Sequence, residues 1–394
     1  MKKILFMVSS MNIGGVEKSL LSLLSVIPKE RYHIHILVLE KKGGFLEYIP
    51  DWVKVEEATW FKKVKPVIMQ PPQQTIKDFY KNKAYLNILP FIFSYFLSKQ
   101  FNNRNVYYKQ VLKNVPKNSN IYDVAIAYQG PTDIIDFYIA NKVTATKKVS
   151  WVHFDVSKHG INERLYNKLY YKFNKIFVVS KEAKKRLIER IPEVESKADV
   201  LLNIIPNKLI KEMSKETVDF GSDYKGIKIV TVGRLSTEKG QDIAIKVLSR
   251  LRSEGYDVRW YCIGDGSQRK EFEMLIQKYD LINDFILLGA TSNPYPYIAK
   301  ADIYVQTSRH EGYCLTLAEA KCLHKPIVTT NFTGALEQLK DGYNGLIVKC
   351  DEDELFKKIQ YLIDNPKQRD KLIQNLLTTD VDTTEQVYKL INYL

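Results

Sequence analysis

Short apolar runs recur along this 394-residue chain, each followed by a glycine or polar turn and then by apolar residues at helical spacing. KKILFMVSS at the start leads through MNIGG into a stretch that keeps Leu20, Leu23, Leu24 and Ile27 on one helical face. HIHILVLE (33–40), YDVAIAY (122–128), KKVSWVHFDV (147–156, a strand expected to end in His153 and Asp155) and KIFVVS (175–180) read as further strands. A fresh series starts after residue 226 with IKIVTVGRLSTEKG, VRWYCIGDG, DFILLGA, ADIYVQTS, KPIVTT and GLIVKC. Strands alternating with helices in this way imply mostly parallel sheets covered on both faces, with ligands beyond the carboxyl ends of the strands. The chain exceeds what one core usually holds, and NIIPN (203–207) reads as the break between two such domains.

The charge is unevenly shared between the halves. Residues 1–206 hold 33 Lys and Arg against 18 Asp and Glu, whereas residues 207–394 hold 26 against 27. The excess concentrates in residues 61–117, where eleven basic residues face the single acid Asp78 and eleven aromatics are interleaved. Within this window LNILPFIFSYFL (86–97) is too short to span a bilayer and contains Pro90. Basic and aromatic residues mixed on helical segments suit an interfacial contact with anionic lipid. A solvated basic face over an ordinary aromatic core reads equally from the same residues. Nucleic acid is the other partner of such a patch, but no nucleic-acid motif accompanies it and none is expected to bind. The cysteines, Cys262, Cys314, Cys322 and Cys350, form no C-x-x-C pair, which suits free thiols in a reducing compartment. MKKILFMVSS has a basic start, but its apolar run is short for a signal peptide and fits a first strand better.

TSRHEGYCLTLAEA (307–320) joins one of these strands to an expected amphipathic helix carrying Leu315, Leu317, Ala318 and Ala320. Backbone N–H groups at a helix N-terminus lack intrahelical partners and the dipole adds positive potential, so this junction is a candidate anion site. Gly312 lets a ligand approach the backbone. Glu311 would stand beside that anion, and Glu319, further into the helix, would accept hydrogen bonds from a ribose diol. On spacing alone, both glutamates fit surface helix positions equally well. Gly14 and Gly15 offer another close backbone approach, a weak signal by itself.

VGRLSTEKG, IGDG, LLGATSNPYPYIAKADIYVQTSRHEGYCLTLAEA and KPIVTTNFTGALEQLKDGYNGLIV, with NIGGVEKSL in the first half, resemble the retaining glycosyltransferases of the GT-B fold, in particular glycosyltransferase family 4. These segments cover most of residues 227–349 in order; the first half matches weakly beyond Gly14-Gly15 and WVHFD. The resemblance implies an α/β GT-B architecture, two Rossmann-like α/β/α domains facing each other across a cleft. Residues 1–205 would bind acceptor and membrane, residues 206–375 the nucleotide-sugar, and residues 376–394 would form a helix crossing back to the first domain.

The resemblance also implies roles. Glu311 and Glu319 form the E-x7-E pair, the first beside the donor sugar and the second on the ribose hydroxyls. Arg234 and Lys239 correspond to cations that neutralise the leaving diphosphate, with Gly264, Gly312, and backbone groups of Tyr313, Cys314 and Leu315 around it. His153 would lie near a distal hydroxyl of the donor sugar, and Asp155 would orient the acceptor or support His153. The leaving group would be stabilised by fixed cations and dipoles, so no metal is expected; Asp351 to Glu354, which formally contains D-x-D, is read as the acidic start of a helix. The expected donor is a UDP-sugar and the acceptor a glycan or polyprenyl-linked glycan in bacterial surface polysaccharide synthesis. The protein would be cytoplasmic and peripheral, at the inner face of the plasma membrane. A nucleotide-sugar epimerase, or a non-catalytic membrane-associated partner of another transferase, are the competing readings.

Overall fold

The computed structural model describes residues 1–154, 156–157, 160–220, 224–379 and 381–394. The chain divides into two compact units: Met1–Asn12, Ile27–Leu201 and Leu390–Leu394 form the first, Ile13–Val26 and Leu202–Lys389 the second.

The first unit is built on seven parallel strands: β1 (Lys2–Val8), β2 (Tyr32–Val38), β3 (Lys54–Glu57), β4 (Ile121–Gly130), β5 (Thr144–Val152), β6 (Lys175–Val178) and β7 (Ala198–Val200). Their spatial order is β3-β2-β1-β4-β5-β6-β7. Ile4 to Val8 are fully buried without alternation, as expected for a parallel strand covered by helices on both faces. Between β3 and β4 the chain makes a long helical excursion over Phe61–Met69, Pro72–Lys81, Ile88–Gln100 and Arg104–Val111. The final residues pack here too: Lys2 Nζ donates to the Leu394 carbonyl at 2.8 Å and Phe177 meets Tyr393 edge to face at 5.7 Å.

The second unit has six parallel strands: β8 (Ile227–Val232), β9 (Val258–Ile263), β10 (Phe285–Gly289), β11 (Ile303–Gln306), β12 (Ile327–Thr330) and β13 (Leu346–Val348). The order β10-β9-β8-β11-β12-β13 reverses direction between β8 and β11. In open parallel sheets this reversal leaves a crevice at the carboxyl ends of the two strands. The loops that follow β8 and β11 are Gly233–Gly240 and Thr307–Cys314.

Two local expectations are corrected. β5 ends at Val152, so His153 follows the strand rather than closing it; Asp155 lies outside the described residues. The helix after β11, Leu315–Cys322, is not amphipathic: Leu317 through Cys322 are all buried, the charged Glu319 and Lys321 included. It runs through the interior of its unit, so its polar groups need internal partners.

Gly264 directly follows β9 with φ +148° and approaches the Gly233 carbonyl so closely that a Cβ would overlap it. Gly264→Ala is therefore expected to destabilise the protein by about 2–4 kcal/mol, from backbone strain plus overpacking, read as a lowered midpoint in urea unfolding with an unchanged slope.

Candidate donor site

The loops after β8 and β11 are stitched together through the backbone carbonyls of the first. Thr307 Oγ1 donates to the Lys239 carbonyl at 2.9 Å, and Arg309 N–H to the Glu238 carbonyl at 2.7 Å. Arg309 also grips Asp242 through two bonds of 2.8 and 2.6 Å. Gly240 makes the approach possible: its φ is +69°, and a Cβ there would strike the Thr307 carbonyl oxygen.

This stitching brings Lys239 and Glu311 into direct contact as an ion pair. Burial works against the Lys239 ammonium, but the Glu311 carboxylate outweighs it and holds the lysine pKa above its ordinary value; neighbouring Arg234 pulls the other way. Glu311 is fixed from behind by a relay of buried polar groups. Tyr304 OH donates to Gln306 Oε1 at 2.6 Å, Gln306 Nε2 to Ser308 Oγ at 2.8 Å, and Ser308 Oγ to Glu311 Oε1 at 2.9 Å. Each member satisfies the next, so the carboxylate has one orientation.

The helix Leu315–Cys322 starts immediately beyond. Its N-cap is Cys314, in the left-handed region at φ +64°, in place of the Ser, Thr, Asp or Asn that usually caps a helix. The first N–H groups lack intrahelical partners and the dipole keeps its positive end. Burial, reinforced by Glu311, pushes the Cys314 thiol up to about 12, so it is a neutral filler here. Gln338 Nε2 bonds the Tyr313 carbonyl, and Gly334 passes so close to Tyr313 that a Cβ would meet its carbonyl oxygen at 2.5 Å.

Glu319, the fifth helical residue, is almost wholly buried. Its Oε1 receives Lys18 Nζ at 2.9 Å and Tyr295 OH at 3.3 Å, while Oε2 has no hydrogen-bond partner among the described residues. Burial, then the carboxylate, lifts the Tyr295 hydroxyl well above its ordinary pKa, so it remains a donor. The helix Gly15–Leu24 belongs to this unit, with Gly15 close to Leu315 and Gly14 as its extended N-cap. The expected residues Gly14, Gly15, Arg234, Lys239, Gly264, Glu311, Gly312, Tyr313, Cys314, Leu315 and Glu319 all fall in this one unit. Lys18, Tyr295, Ser308 and Gln338 were not singled out from sequence. Lys18 stands three residues after Gly15 in NIGGVEKSL, a signal that was available; nothing local marks the others. Asp351 caps the helix Glu352–Asp364 by accepting from Glu354 N–H, and three acids fill its first turn, the role expected of that acidic run.

His153 belongs to the first unit. Its ring stacks on Trp151, with centroids 5.9 Å apart and planes 12° apart, and leans on Tyr128 at 4.7 Å. Burial drives its pKa down to about 3 despite a hydrogen bond to the Tyr128 backbone, and Nε2 has no partner among the described residues. The ring is therefore neutral at neutral pH, with Nε2 free to accept. Since the unfolded chain takes up this proton near pH 6.5, its burial lowers stability as pH falls from that value toward the folded pKa. The His153 ring resonances are expected not to titrate between pH 5 and 8 by NMR; a midpoint near the ordinary histidine value would contradict this environment.

Residues 213–377 match the family Glycosyl transferases group 1. An uncharacterized glycosyltransferase of Methanocaldococcus jannaschii is 26% identical over 245 residues, 58% of this chain and 57% of that protein. The N-acetylgalactosamine-N,N'-diacetylbacillosaminyl-diphospho-undecaprenol 4-alpha-N-acetylgalactosaminyltransferase of Campylobacter jejuni is 28% identical over 229 residues, 58% of this chain and 60% of that protein. Both matches thus span less than two thirds of the relative. Among solved structures, HepE of Anabaena in complex with UDP-glucose aligns over all of both chains with a TM-score of 0.72 and 20% identity. Over residues 213–377 the chain is thus similar to the group 1 glycosyl transferases, and as a whole it has the GT-B fold of two parallel-sheet, Rossmann-like units.

Proposed function

We propose that the chain is a retaining, metal-independent glycosyltransferase that moves a sugar from a UDP-sugar to a lipid-linked glycan in bacterial surface polysaccharide synthesis. The observation that carries this reading is the arrangement after β8 and β11. Two loops held in register carry the Lys239–Glu311 pair and lead into a helix N-terminus, and that helix holds the buried Glu319 carboxylate with one oxygen unpartnered among the described residues. The helix N-terminus would take a diphosphate, with the sugar it carries toward Glu311 and the ribose on its other side toward Glu319. Arg234, Lys239 and the helix N-terminus neutralise the diphosphate as the bond from the anomeric carbon to its oxygen breaks; preorganised charge is worth most there. Glu319 takes a ribose hydroxyl and Glu311 stands by the donor sugar; in the first unit, neutral His153 offers Nε2 as an acceptor to a substrate hydroxyl. In a same-face displacement the acceptor oxygen bonds to the anomeric carbon, and its proton passes to the departing phosphate oxygen. UDP is favoured by the UDP-glucose complex of HepE, and a polyprenyl-linked acceptor by the name of the Campylobacter relative.

Calorimetry with UDP, GDP, ADP and their sugars is the first test. Selective UDP binding that survives chelator and weakens at least about tenfold, or 1.4 kcal/mol, in Lys239→Ala is expected. Binding of no nucleotide would sink the reading.

We place this activity at the cytoplasmic face of an anionic membrane. Among the described residues, no helix is long and apolar enough to cross a bilayer. The excursion between β3 and β4 instead carries a ridge of outward apolar side chains, Leu86 (92% exposed), Leu89 (77%), Phe93 (65%) and Phe96 (59%). Lys77, Lys81, Lys83 and Lys99 flank it. Such a ridge suits shallow insertion with basic residues at the headgroups. Sedimentation with phosphatidylglycerol vesicles is expected, with little binding to phosphatidylcholine; Leu89→Glu with Phe93→Glu should release the protein.

A further inference from the structure

Lys18 falls outside the family-matched residues 213–377, yet it reaches the most buried charge of the candidate donor site. It stands on the helix Gly15–Leu24, which packs within the second unit and is tied there by Ser19 Oγ donating to Asn203 Oδ1 at 2.6 Å. The Lys18 side chain is 17% exposed and that of Glu319 3% exposed, so the pair is largely withdrawn from water. The ammonium lies 2.9 Å from Glu319 Oε1 and 4.3 Å from the centre of the Tyr295 ring, whose hydroxyl bonds that same oxygen. Among the described residues, two donors therefore converge on Oε1 and none on Oε2.

A buried carboxylate oxygen without a donor is costly unless a ligand supplies one. The two oxygens of a carboxylate are chemically equivalent, so which one is left for the ligand depends on what holds the other. Tyr295 alone is a single, longer contact. Lys18 adds a charge-assisted bond, the stronger kind, and its ammonium is braced over the tyrosine ring. We propose that Lys18 is a positioning residue of the donor site: it fixes the Glu319 carboxylate so that Oε2 is presented to a nucleotide ribose. The ribose site is then made by two separate chain segments, 13–26 and 202–389. This rests on the donor reading above.

The test compares UDP with 2′-deoxy-UDP and 3′-deoxy-UDP by calorimetry on the full chain. Wild type is expected to prefer UDP over at least one deoxy analogue by about tenfold or more, the worth of a hydrogen bond to a charged group. Lys18→Met should lower UDP affinity while leaving that analogue within about twofold, so the preference collapses; Lys18→Arg should restore part of it. A staple that merely supports the fold would weaken all three ligands by one factor, and that result overturns the proposal, as does an undiminished preference in Lys18→Met. Should Lys18→Met fail to fold, Tyr295→Phe and Lys18→Arg carry the comparison: both should reduce the preference, and a full preference in both overturns the proposal. Wild type that binds no nucleoside diphosphate would instead overturn the donor reading beneath it.

Discussion

The close approach of two loops governs everything at the candidate site. In the six-stranded sheet β8 and β11 are neighbours although some seventy residues separate them, so their carboxyl ends deliver Gly233–Gly240 and Thr307–Cys314 to one place. Backbone contact then sets the distance. Thr307 and Arg309 bond the carbonyls of Lys239 and Glu238, and Gly240 has no side chain to keep them apart. Once the loops are fixed, Lys239 and Glu311 meet as a consequence. A half-buried ion pair adds little to stability by itself. Its worth is geometric, a cation and a carboxylate held with little freedom beside a helix N-terminus.

The polar relay behind Glu311 shows how a parallel sheet can aim one side chain. β11 is buried along its whole length, and an ordinary core strand would be apolar throughout. Gln306 interrupts that rule at the last position, where Tyr304, Ser308 and Thr316 satisfy it. Burying a side-chain amide is acceptable only with such partners. The strand end is thereby converted from packing to positioning within two residues.

Much of this was legible in the amino-acid order. The apolar runs at β1, β4, β8, β9 and β11 identify themselves, and TSRHEGYCLTLAEA marks the candidate site through its paired glutamates and its strand-to-helix junction. β3 was not readable because KVEE is short, polar and at a sheet edge. The helix Leu315–Cys322 misled because Glu319 and Lys321 resemble a solvated face, whereas tertiary partners bury them: Lys18 and Tyr295 for one, the Gln338 carbonyl for the other. Lys18 and Glu319 lie 301 positions apart, and no local pattern encodes such a pair. Cys314 is likewise opaque, since nothing in its neighbours announces a left-handed residue.

The contact units are interleaved along the chain: the path enters the second unit at residue 13, leaves it after 26, returns at 202 and leaves again after 389. This has a consequence for protein engineering. A chimera that exchanges the six-stranded unit by joining two parents at the single junction 201/202 would separate Glu319 from its own Lys18 and set it against a foreign helix. A graft that keeps the charge pair intact must carry residues 13–26 along with 202–389, as two insertions in one recipient.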